Sequence, residues 1–101
     1  MTGTMDMKGI FRKRGEIVAR AIAGETILVP VKGKLADMPR IFTLNPVAAV
    51  VWSQIDGQQD LEVMLSKVIE DFEVEKKDAE SDLREFIAEL LEAGLIEEVG
   101  A

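Results

Sequence analysis

The stretch Leu44-Asn45-Pro46-Val47-Ala48-Ala49-Val50-Val51-Trp52, followed by Ile55-Asp56-Gly57, decides how the chain is read. Asn45 has the side chain of a helix N-cap, an oxygen that accepts from the free N–H groups of the first turn. Pro46 then falls at the first helical position, where its missing N–H costs nothing. The helix that follows is apolar almost all round, with Trp52 as its largest side chain, and Asp56-Gly57 ends it. A helix of that kind belongs at the centre of a fold. The same boundary closes the element before it. Residues 40–44, Arg-Ile-Phe-Thr-Leu, read as a short strand, with Ile41 and Thr43 on one face and Phe42 and Leu44 on the other.

Further upstream, residues 16–22 and 26–31 are two strands rich in β-branched residues, separated by Ala23-Gly24. A spacer that short predicts an antiparallel hairpin. Pro30 cannot donate to a ladder and marks an edge or a strand end. Residues 32–39 carry Gly33 and Pro39 and read as a loop. Residues 1–14 offer no regular apolar spacing, only Ile10 and Phe11 among basic residues, and are expected to be a flexible arm in front of a domain spanning 15–99.

Downstream, Asp60 is the next N-cap, and Leu61, Met64, Leu65, Val68, Ile69 and Phe72 follow helical spacing. Val74 is expected to pack between elements. A third helix over residues 76–93 carries the stripe Ala79, Leu83, Phe86, Ile87, Leu90 and Leu91, and Gly94 stops it in the left-handed conformation, with Leu95 placed for the accompanying apolar contact. Residues 96–99 form a short final extension. The element order is strand, strand, strand, helix, helix, helix: an α+β chain with a three-stranded antiparallel sheet followed by a three-helix bundle.

The composition narrows the chemistry. The 101 residues suit one domain, and no apolar run approaches the roughly 20 residues of a membrane span. No secretory pattern opens the chain, so a cytoplasmic location is expected. Cys, His and Tyr are all absent. That removes thiolate chemistry, the commonest general base and the commonest metal ligand, so neither an enzyme nor a metal or organic cofactor is expected. Ser53, Ser66 and Ser81 have no His to activate them. The carboxylate pairs Asp78/Asp82, Glu85/Glu89 and Glu97/Glu98 read as solvated surface. Glu80 and Arg84 make an ordinary i,i+4 pair.

Charge is unevenly spread. Residues 1–55 hold eight basic against four acidic residues, net +4, whereas residues 56–101 hold four against fifteen, net −11. Three helices also suit a winged-helix DNA-binding regulator, the alternative reading. Against it, residues 73–93 carry eight acids and three bases, net −5, and phosphate contact needs the opposite sign.

The run Leu44-Asn45-Pro46 to Trp52 with Asp56-Gly57 resembles the PqqD family. The likeness continues through Leu61, Phe72, Asp82-Leu83, Phe86-Ile87, Leu90 and Gly94-Leu95-Ile96, and upstream through Ile27-Leu28-Val29-Pro30, covering roughly residues 16–98. Residues 32–39 are longer than in the family's founding members. The resemblance implies a winged-helix-like domain that binds the leader of a ribosomally made precursor peptide and presents it to a modifying enzyme. In pyrroloquinoline quinone synthesis that enzyme is a radical S-adenosylmethionine (SAM) protein. A second copy of the chain is a further candidate partner; nucleic acid and membrane are not. An extended peptide can add to an open strand edge. The expected site is therefore Arg40, Ile41, Phe42, Thr43 and Leu44, rimmed by Asp82, Phe86 and Glu89 of the third helix, with the two acids favouring basic residues in the peptide.

Overall fold

The computed structural model describes residues 7–15, 17–30 and 42–99. Its elements run β1 (Phe11–Lys13), β2 (Ile17–Ile22), β3 (Glu25–Pro30), β4 (Phe42–Leu44), α1 (Pro46–Gln54), α2 (Leu61–Phe72), α3 (Lys76–Ala93) and β5 (Ile96–Glu98). The expected α+β order is present, as an antiparallel sheet in the order β2-β3-β4 followed by three helices. Arg40, Ile41 and the expected loop at 32–39 lie outside the described residues.

Local signals explain most of the element ends. Ala23 and Gly24 have φ of 52° and 83°, and Ile22 pairs with Glu25 across them. Two central residues at positive φ are the combination that matches the twist of a hairpin. Asn45 caps α1 as expected, its Oδ1 accepting from the Ala48 N–H at 2.8 Å. Asp60 caps α2 in the same way, accepting from Val63 N–H at 3.0 Å. Gly94, at φ 78°, ends α3, and the Leu95 N–H reaches back to the Leu90 carbonyl. That bond turns the chain so that Leu95 is buried, as the capping motif demands.

The core lies between the sheet and the helices. Val51, Trp52 and Ile55 of the α1 segment meet Met64, Leu65 and Val68 of α2 and Leu83, Ile87 and Leu90 of α3, with Leu28, Phe42 and Leu44 closing it from the sheet. No described polar residue is buried. Two apolar residues assigned to packing are instead on the surface: Leu91, at the edge of the α3 stripe, and Val74, in the connection between helices, are 37% and 38% exposed. The stripe that Leu91 was read into is wider than the surface that α3 presents to its neighbours.

The N-terminal residues correct the reading of 1–14 as a flexible arm from Met7 onward. β1 pairs antiparallel with β5, with Phe11 opposite Glu98, Arg12 opposite Glu97 and Lys13 opposite Ile96. Further backbone bonds fasten the segment to the helices: Gly57 N–H to the Phe11 carbonyl, Leu61 N–H to Gly9 and Glu62 N–H to Met7. Phe11 is buried in the core. Three basic residues of the segment are matched by the acidic half of the chain, Lys8 with Glu62 and both Arg12 and Arg14 with Glu97. These exposed pairs contribute little energy each. They do account for the basic run without a nucleic acid. Gly57 suits this junction because its φ is 79°, a backbone conformation that residues with a Cβ rarely adopt.

Two substitutions test these attachments. Asn45→Ala is expected to lower unfolding free energy by ~1 kcal/mol through loss of the cap. Chemical denaturation reads it, and an unchanged midpoint would mean the cap does not hold α1. Phe11→Ala is expected to cost ~3–5 kcal/mol, as for a buried aromatic. A change under ~0.5 kcal/mol would return the N-terminal segment to the status of an arm.

Candidate functional site

β4 is the terminal strand of its sheet, and among the described residues no strand pairs along its outer side. The chain turns at Asn45 directly into α1, so the strand and the first turns of the helix form two walls of one corner. α3 crosses opposite them. Between these elements lies an open groove of about 350 Å³. β4 contributes Phe42, Thr43 and Leu44, α1 contributes Val47, Ala48 and Val51, and α3 contributes Ala79, Asp82, Leu83, Glu85, Phe86 and Glu89, with Asn45 and Val68 completing the lining.

The burial pattern grades the groove from floor to rim. Phe42, Leu44, Val51, Val68 and Leu83 are buried, Val47, Ala48 and Phe86 are half-buried, and Thr43, Asp82, Glu85 and Glu89 are exposed. The alternation left open in the strand is settled: Phe42 and Leu44 face the core and Thr43 faces out. Of the eight residues expected at the site, six line this groove: Phe42, Thr43, Leu44, Asp82, Phe86 and Glu89. The other two, Arg40 and Ile41, are not described. Sequence reasoning missed the α1 wall and Glu85. A signal for the α1 wall was present, because a helix apolar nearly all round has more apolar surface than its neighbours cover. For Glu85 the signal was the same helical flank that carries Asp82 and Glu89.

The chemistry available in the groove is that of binding. Its floor is apolar, its rim is anionic, and no described Lys or Arg lines it. Among the described residues no group of three or more His, Cys, Asp or Glu side chains is placed to hold a metal ion, and no helix is long and apolar enough to cross a membrane. Among the described residues the two groups with shifted ionisation lie outside the groove, where β1 meets the end of α1. Lys13 Nζ sits 4.9 Å from the centre of the Trp52 ring. Burial there lowers its pKa, and the nearby Asp56 carboxylate partly restores it. Asp56 is itself held below the ordinary carboxylate value, because its Oδ1 accepts from the backbone N–H groups of Gln58 and Gln59 at 2.8 and 3.1 Å.

The sequence model of the coenzyme PQQ synthesis protein D (PqqD) family matches residues 25–96. Two solved structures resemble the fold closely. TbiB1 in complex with the TbiA(β) leader peptide is 21% identical with a TM-score of 0.66, over 89% of this chain and 96% of that one. A lasso peptide synthetase B1 complexed with its leader peptide is 23% identical with a TM-score of 0.68, over 86% and 96%. Both likenesses support the winged-helix-like assignment of the fold. No match is found among curated proteins.

Acid titration tests the Asp56 turn. A carboxylate whose pKa is lowered by folding stabilises the native state above its unfolded value of about 4, and that stabilisation is lost as pH falls through the folded value. Asp56→Asn keeps an acceptor but removes the ionisation. Melting temperatures across pH 7 to 2 are expected to show native protein ahead of the variant at neutral pH, with the gap closing below pH ~4. Parallel acid limbs would mean that Asp56 carries no such stabilisation.

Proposed function

The chain belongs to the PqqD family, and from that premise we propose that it binds the leader of a ribosomally made precursor peptide and hands it to a modifying enzyme, with no chemistry of its own. The observation that carries this reading is the groove beside β4, an apolar trough flanked on one side by the terminal strand of a sheet. A peptide laid there can form main-chain hydrogen bonds along the strand while its side chains enter the trough. The two similar solved structures are of proteins in complex with leader peptides, which supports the same use of the fold here.

The residues proposed to contact the peptide are Phe42, Thr43 and Leu44 along the strand, Arg40 and Ile41 just before it in sequence, and Asp82, Phe86 and Glu89 on the helix. The modifying enzyme proposed is a radical SAM protein, as in quinone cofactor synthesis, and the setting is the cytoplasm, where precursor peptides are made. The absence of His, Cys and Tyr supports a recognition role in which bond-making belongs to the partner. The net charge of −5 over residues 73–93, with Asp82, Glu85 and Glu89 exposed, argues against a helix that lies on a phosphate backbone.

An NMR titration of labelled protein with the leader of a short precursor encoded beside its gene tests the proposal. Resonances of Thr43, Leu44, Phe86 and Glu89 are expected to move together and saturate, with no response to duplex DNA at low salt. Shifts confined to β2 and β3, or binding of DNA in place of peptide, would overturn it.

A further inference from the structure

We infer that the groove selects an extended peptide segment carrying at least two cationic side chains, Lys or Arg, two residues apart and so both set against α3, with apolar residues seated on the floor. The inference rests on the peptide-binding reading above and adds the chemistry of the peptide to it.

The starting point is an unbalanced charge pattern on α3. Asp82, Glu85 and Glu89 lie on one flank of the helix, all exposed, all lining the groove. None of the three makes an ion pair with a described residue, although acids elsewhere do: Glu62 with Lys8, Glu97 with Arg12, Asp71 with Lys67. The Arg84 guanidinium of the same helix is committed to Glu80, at 2.9 Å. Successive acids at i,i+3 and i,i+4 repel one another. Glu89 also stands near the C-terminal end of α3, where the helix already presents negative partial charge and no basic residue occupies the last turn. A helix that only needed solubility would do better with alternating signs. This one holds like charges together on the single flank that faces an apolar trough.

Charge complementarity then defines the occupant. A helix advances 1.5 Å per residue, so Asp82 to Glu89 spans roughly 10 Å. A strand advances about 3.3 Å per residue, so the same length faces about three residues of an extended peptide. Two cations within that span meet all three carboxylates. Their aliphatic stems can lie over Phe86 and Leu83 while their charges reach the rim. Apolar residues of the same segment fall on Val47, Ala48 and Val51, which are half-buried or buried and offer no polar side chain.

The experiment selects from a displayed library of random 12-residue peptides on the immobilised full chain at low salt. Binding of the enriched peptides is then measured by fluorescence anisotropy against native protein and the triple variant Asp82→Asn, Glu85→Gln, Glu89→Gln. These exposed isosteric changes leave the core untouched, and a melting curve confirms the fold. The expected result is enrichment of a pair of Lys or Arg two residues apart, flanked by apolar positions. Affinity is expected to be about 5–10-fold weaker for the variant, a modest factor for each exposed pair, with a flattened salt dependence. Enrichment of neutral or acidic peptides that still shift Thr43 and Phe86, or equal affinity of the variant, would overturn the charge selection and leave peptide binding standing. Absence of any groove-binding peptide would overturn both. Concentration-dependent self-association that blocks the groove would assign it to a second copy and overturn the inference.

Discussion

The geometry around the groove depends on the hydrogen bond that the Ala48 N–H donates to Asn45 Oδ1. It fixes the point at which β4 stops and α1 starts, with no residue between them other than the cap itself. With Pro46 presetting the first helical turn, the chain cannot extend the strand further or begin the helix later. A terminal strand and an apolar helix are thereby held at one corner, and α3 supplies the third side. Were the helix to start a turn later, Val47 and Ala48 would leave the wall and the trough would lose part of its apolar side. The shape of the groove is set by where a secondary-structure boundary falls more than by any single lining residue.

The parts of the fold governed by neighbours in sequence were legible in advance. The bounds of α3 were readable because an apolar stripe, a stop glycine and the following Leu95 all agree. The caps at Asn45 and Asp60 and the turn at Ala23-Gly24 were readable for the same reason. The attachment of β1 was not. Three residues give no measurable alternation, and the partner strand lies at the other end of the chain, so nothing local distinguishes Phe11 from a residue in a tail. The groove was half legible: strand alternation and helical spacing brought Thr43, Asp82, Phe86 and Glu89 to one place. Which side of α1 faces them depends on how three helices pack, and an apolar pattern without a polar face leaves that angle undefined.

The two ends of the acidic half serve different ends of the molecule. At β5 and α2, Glu97 and Glu62 answer cations of the N-terminal segment and so close the chain on itself. On α3 the acids of the groove side have no such partner within the described residues. An excess of negative charge that reads as one property in the composition is thus divided in space between internal pairing and a face left for something else.

Pairing β1 with β5 has a consequence for the order in which the protein is completed. Phe11 and Glu98, opposite one another in the ladder, are 87 positions apart (98 − 11). On a ribosome adding roughly 5–20 residues per second, the first strand emerges several seconds before its partner exists. The hairpin of β2 and β3 and each helix can form from local contacts during that interval. The ladder between β1 and β5, whose partners are the farthest apart in sequence among the described strand pairs, can form only after β5 has been made. Until then β1 lacks its strand partner, and the cations beside Phe11 lower the tendency of such an unpaired segment to aggregate.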